Sequence, residues 1–403
     1  MHPENDIRRW IRIAVFNLFI LAIAGTLLRY KIAFALPWVD QKYLLHAHSH
    51  FAFSGWLTQV LMTLMVYVIA RLKGIELLNR FRPVLFMNLV SAYGMLLSFP
   101  FGGYQSVSVT FSTLSIVAGA WFAVVAWREM NRNGSADSAF LWFKAALFFM
   151  VLSSAGPFAL SYMMAHNNTD IRLHLIAEYF FLHFQYNGWF LFTGMGVLYF
   201  FLPADVRNSK MLRNVWLLFV TACVPAYLLS VLWMNLYLPV YILVVLAALA
   251  QVTGWIILLP RLRDHLQPRG LARLFWLLAA VAFTVKLLLQ AGSTIPELSH
   301  FAFGYRPVVI GYLHLMLLGV CTFFVLGACF NADLLIPTRT TRRGAWLFIT
   351  GVILNELLLF VQGVTAIIGT YLENVQYWLF GVAVILMTGA FLLIAGQRWQ
   401  IKS

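Results

Sequence analysis

The chain reads as an all-α, polytopic membrane protein of about twelve transmembrane helices, and three observations carry that reading. Of its 403 residues, 62% are hydrophobic and only 10% are charged, a balance foreign to soluble domains. Apolar runs of about 20 residues recur from end to end, each long enough to cross a bilayer as a helix. Lysine and arginine gather in the short gaps between those runs, alternately dense and sparse. Backbone groups in lipid have no water to bond, so the crossing segments must satisfy themselves as helices.

In chain order the expected spans are roughly 11–30, 45–70, 83–101, 106–127, 140–163, 174–202, 213–235, 237–259, 271–293, 307–331, 345–368 and 375–397. With the N-terminus inside, 22 Lys and Arg fall on inner loops and tails. Five (Arg29, Lys31, Lys42, Arg172 and Arg306) fall outside, and Lys286 lies within a span. The positive-inside rule then places both termini in the cytoplasm of a bacterial-type inner membrane. The whole chain, 1–403, reads as one membrane domain, with no linker, low-complexity stretch or soluble appendage. The net charge of +14 follows from this topology, so no nucleic-acid partner is expected. Cys223, Cys321 and Cys329 sit inside apolar runs without metal-like spacing and read as packing residues. The N-terminal segment runs into a span too long for a signal-peptide core.

Eight of the ten histidines fall on the expected outer side: His46, His48, His50, His166, His174, His183, His300 and His314; His2 and His265 lie on the other. An imidazole inside a membrane helix is by default a functional-site hypothesis. In the second span, His46 and His50 share a helix face and His48 points roughly the other way. His50 is eight residues past Lys42 and His314 eight past Arg306, which puts both about 12 Å deep. Two imidazoles at one depth on two helices can ligate the two faces of one heme. His183, eleven past Arg172, lies slightly deeper, and His174 lies at the surface. The competing readings are a buried histidine bonded to a carbonyl, and a surface copper or zinc site at His46, His48 and His50.

Three stretches resemble the core subunit of the heme-copper oxidase superfamily, which includes the nitric oxide reductases. They are His46 to His50 followed by Phe-Ala-Phe-Ser-Gly55; His183 with Gly188-Trp189-Phe190-Leu191 and Tyr199-Phe-Phe-Leu-Pro203; and Tyr312-Leu313-His314. The resemblance implies a twelve-helix bundle with a low-spin heme b on His314 and on His50 or His46. It also implies copper or non-heme iron near His183. The chain departs from the family in two places. The seventh span has no histidine, so two of three copper ligands are missing, and Tyr312 stands where the high-spin heme ligand is expected. Tyrosine can ligate heme, but packing is the plainer role for Tyr312. Arg306 and Arg172 are candidates for heme propionates, and His174 and His48 for further metal ligands.

Lys286 and Glu356 each lie thirteen residues past an inner arginine, Arg273 and Arg343, hence at one depth near the midplane. A Lys286–Glu356 pair, or a polar path with Asn355, Gln290 and Gln362, would avoid the cost of isolated charge there. Proton uptake and a structural ion pair are equal readings. Glu178, one turn after His174, reads as a carboxylate orienting that imidazole, as part of a proton path, or as a wet interfacial group. Three function classes follow. The leading one is a b-type heme protein with a degenerate oxidase fold, passing electrons or binding nitric oxide or oxygen. Lacking a c-type heme motif, it would take electrons from quinol or a separate donor protein. The second is a nitric oxide reductase with an unusual metal site built from His183, His174 and His166. The third is a transporter of copper, zinc or heme entered through the histidine-rich face.

Overall fold

The structure, a computed structural model, describes residues 3–132, 137–234, 236–298, 305–370 and 372–397. His2, His300, Arg398 and Lys402 lie outside the described residues. Each expected span is helical: α1 (Pro3–Ala33), α2 (Gln41–Lys73), α3 (Leu78–Gly102), α4 (Ser106–Asn131), α5 (Ser138–Ala165), α6 (171–200), α7 (Lys210–Met234), α8 (Leu238–His265), α9 (Gly270–Gly292), α10 (Arg306–Asn331), α11 (Arg339–Ile367) and α12 (Val375–Ala395). Short polar side chains start several of them. Asp40, Asp137, Asp170, Ser209 and Thr338 each accept a backbone N–H in the first turn of α2, α5, α6, α7 and α11. These caps satisfy donors that a helix start leaves open.

The expected count of twelve crossings is corrected in one place. Eleven helices among the described residues are long and apolar enough to cross a membrane, and α6 is not one of them. It is a continuous helix of sufficient length, but Glu178, His183, Gln185 and Asn187 dilute its apolar character. The polar residues that marked it as a candidate site also lower its score as a span.

The chain forms two compact units. The first holds Met1–Phe122, Arg269–Trp276 and Thr322–Ser403. Here α11 and α12 approach through glycines: a Cβ on Gly389 would meet Phe348 N at 2.5 Å, and one on Gly344 would meet Leu393 N at 2.6 Å. Small residues let membrane helices pack at backbone distance. α1 lies along α12, joined by Thr26 Oγ1 donating to the Ala383 carbonyl at 3.1 Å and by the Phe19–Phe391 ring contact. The second unit holds Ala123–Pro268 and Leu277–Cys321. There α5 seats α6 through Gly188 and Gly196, whose absent side chains leave room for Phe149 and Phe143. A short-range ion pair, Arg207 to Asp137 at 2.8 Å, ties the start of α5 to the turn after α6.

Candidate functional site

Among the described residues three helices take up π winding, each directly after a histidine. π-Helical segments run over Phe51–Thr58 after His50, Phe184–Phe190 after His183, and Leu315–Thr322 after His314. π winding accounts for well under 1% of residues in proteins, and it gathers at functional sites. Each segment also carries a glycine five residues after its histidine: Gly55, Gly188 and Gly319. In the first two a tryptophan follows, and Trp56 and Trp189 are both fully buried. This His-x4-Gly recurrence is a short local spacing, not a repeat of whole halves of the chain.

In the first unit, neighbouring side chains pin the π turn of α2. Asn17 of α1 donates to the Gly55 carbonyl at 2.6 Å, and Tyr93 of α3 donates to Asn17 Oδ1 at 2.8 Å. Asn88 of α3, wholly buried, donates to the Ser54 carbonyl at 3.0 Å and to Gln59 Oε1 at 2.8 Å. Carbonyls displaced by the irregular winding thus receive amide donors from two other helices, which keeps their burial affordable.

His46 and His50 share one face of α2, as their spacing predicts, and His48 packs on the other against Gly25 of α1. The shared face is lined by Phe99 and Tyr104. His50 stacks on Phe99 with ring centroids 4.6 Å apart, and its Nε2 lies 2.9 Å from Tyr104 Oη. The His46 ring meets Tyr104 edge-on at 4.8 Å. His46 Nε2 is buried with no hydrogen-bond partner, an uncommon condition for a buried polar atom. Tyr104 is delivered by Gly103, at φ +60° and ψ −137°, a conformation open essentially to glycine alone. A Cβ at Gly103 would also strike the Tyr43 ring at 2.4 Å.

In the second unit, His314 Nδ1 is 2.8 Å from the Ile310 carbonyl. A ring N–H bonded to a carbonyl leaves the lone pair on Nε2, the arrangement usual behind metal-bound imidazoles. His166 and His174 make the same i−4 contact, each at 2.9 Å, to Tyr162 O and Asp170 O. His183 differs. It is 2% exposed, its Nε2 lies 2.8 Å from the Cys223 carbonyl and its Nδ1 lies 3.1 Å from the Asn187 amide. Both nitrogens are engaged, so ligation by His183 requires one of those bonds to break. Among the described residues no three His, Cys, Asp or Glu side chains are grouped so as to hold a metal ion. Tyr312 meets the Tyr186 ring edge-on at 6.4 Å, a packing contact between α10 and α6.

Lys286 and Glu356 each bond a residue named in the expected polar path, Gln290 and Asn355. Lys286, 0% exposed, donates to Gln290 Oε1 one turn along α9, and Gln290 in turn donates to Gln251 of α8 at 3.0 Å. Glu356 Oε1 accepts from Asn355 at 3.2 Å. Each finds a partner on its own helix. Glu178 is exposed, one turn beyond His174, whose Nδ1 is committed to the Asp170 carbonyl. Arg306 is exposed at the start of α10, and Arg172 lies 3.9 Å from Asp170.

Comparison with known proteins adds no identity: no protein-family description matches the chain, and no curated protein is significantly similar to it.

Proposed function

We propose that the chain is a b-type heme-binding membrane protein with an oxidase-like architecture, acting in electron transfer or in handling nitric oxide or oxygen. The observation that carries this is the placement of the three π segments, each directly after His50, His183 or His314. A π turn inserts a residue and re-aims the side chains around it, which suits a helix that must present an imidazole to a cofactor.

The residues available fit a heme better than a copper site. His46 offers a buried, unpartnered Nε2 beside the flat aromatic surfaces of Phe99 and Tyr104. His314 carries the Nδ1–carbonyl bond that sets its tautomer for ligation. On this reading His46 in the first unit and His314 in the second are each a candidate imidazole for iron, and His50 is held by Tyr104 as a buttress. A bound heme would supply one-electron chemistry. The copper or non-heme iron expected near His183 does not fit a ring whose two nitrogens are both engaged, so no metal chemistry is drawn there.

The test is heme content, read from the reduced optical spectrum, in three purified single variants. His46→Ala and His314→Ala lose the low-spin heme signal while inserting normally, and His166→Ala keeps it. Unchanged spectra in the first two would overturn the assignment.

A further inference from the structure

In the first unit, a pocket of about 370 Å³ opens where α1 ends and α12 begins, lined by Ile32, Ala33, Glu373, Asn374, Gln376 and Tyr377. That volume lies within the range of small-molecule sites. Both helices are long and apolar enough to cross a membrane. Their ends here carry Tyr30, Phe34, Tyr377 and Trp378, each at least 38% exposed, and aromatic residues gather in this way at the level of lipid headgroups. The charged groups at this end are unpaired. Glu373 is exposed and forms no hydrogen bond or ion pair among the described residues. Lys31, the residue before Ile32, donates instead to the Leu36 carbonyl at 2.6 Å. Asn374, at φ +61°, starts α12 without a side-chain cap bond, and Gln376 Oε1 has no donor. Arg29 lies one turn deeper on α1, on the helix face of Ile32 and Ala33; it is partly buried and likewise has no partner among the described residues. A carboxylate with two amide oxygens at the mouth, and a guanidinium about 6 Å further along the helix, match a ligand with a cation at one end and an anion at the other.

We infer that this pocket holds the headgroup of a zwitterionic phospholipid, phosphatidylethanolamine. A primary ammonium carries three N–H donors, enough for the Glu373 carboxylate and the side-chain oxygens of Asn374 and Gln376. It also lies beside the half-exposed Tyr377 ring, whose face attracts cations. The phosphate takes the Arg29 guanidinium, whose planar fork suits phosphate oxygens. A choline headgroup has no N–H to give the mouth oxygens, and a glycerol headgroup has no cation for Glu373, so both bind less well. A bare metal ion would find a single carboxylate in a space far larger than itself. The inference is independent of the heme reading and survives its failure.

The test is native mass spectrometry of the full-length, delipidated protein in detergent, titrated with the dioleoyl forms of phosphatidylethanolamine, phosphatidylcholine or phosphatidylglycerol. Phosphatidylethanolamine is expected to bind at one tight site per chain, ahead of the other two lipids. Glu373→Gln should weaken that binding about two- to fivefold, the loss of an exposed ion pair, and leave phosphatidylglycerol binding unchanged. Arg29→Gln should weaken both lipids alike, by about tenfold. Ala33→Phe, which fills the space, should remove the tight site. Glu373 is exposed, so the Glu373→Gln result stands whatever the deeper changes do to folding. Soluble phosphoethanolamine at the lipid's concentration should leave the bound lipid in place; equal displacement would assign the site to a free ligand and overturn the lipid. Equal binding of the three lipids, or phosphatidylethanolamine binding unchanged in Glu373→Gln, would overturn the headgroup site.

Discussion

Asn88→Leu isolates the polar pins that hold the π turn after His50. Leucine matches asparagine in branching and heavy-atom count, though its methyl groups are bulkier, so the change opens no cavity and acts chiefly through hydrogen bonds. Two are lost, to the Ser54 carbonyl and to Gln59 Oε1, at a site 0% exposed. Side-chain hydrogen bonds inside membranes average about 0.6 kcal/mol and reach about 1.7, so the pair is worth about 1–3 kcal/mol. Leaving two buried acceptors unmet costs about 1–3 kcal/mol each in water-referenced series. In the wild type, Asn88 Oδ1 is itself buried without a donor, and its removal returns part of that cost. The net expectation is a loss of about 2 kcal/mol, equivalent to roughly a 30-fold change in the folded-to-unfolded ratio. The assay is thermal or denaturant unfolding of the detergent-solubilised protein, with Asn88→Asp and wild type alongside. Wild-type stability in Asn88→Leu would refute the claim that side-chain amides hold the π winding.

Three further expectations follow from the same structure. Tyr104→Phe removes the 2.9 Å contact to His50 at a cost of about 1 kcal/mol and keeps the heme spectrum; loss of heme would show that His50, not His46, is the ligand. His183→Leu strands the Cys223 carbonyl and the Asn187 amide, costing about 2–4 kcal/mol, while elemental analysis finds metal content unchanged. A fall of one metal per chain in that variant would restore the reductase reading. Lys286→Met exchanges a fully buried amine, bonded to Gln290 alone among the described residues, for an apolar chain of similar length. The exchange removes a buried amine, whose desolvation is costly, and strands Gln290 Oε1 at about 1–3 kcal/mol, so the net change is expected to be neutral or stabilising. A lower unfolding temperature would show that the amine contributes more than its bond to Gln290 accounts for.

Most of the helical architecture was legible in the sequence, because hydropathy and interruption by turn residues suffice to place membrane helices. The boundaries of α9 and α10 fall within a residue of expectation at their starts. The shared face of His46 and His50, with His48 opposite, followed directly from helical period. The π winding was not legible, since three-residue and four-residue periodicity assumes the α turn that these segments abandon. Its signal was a short spacing, His-x4-Gly, that only acquires meaning when the carbonyls of Ser54 and Gly55 are seen to take amide donors. The partners of His183 were not legible for a related reason. Depth and residue type marked it as a ligand, but its partners, the Cys223 carbonyl and Asn187, depend on packing that no spacing rule encodes.

The most direct test of the central claim is an optical spectrum of the full-length, detergent-purified protein, oxidised and then dithionite-reduced, with elemental analysis on the same sample. A sharp reduced b-type band with iron near one per chain is the expected result. A protein expressed with ample heme that shows no heme absorbance, or that carries copper or zinc in place of iron, would contradict the account and favour metal transport through the histidine-rich face.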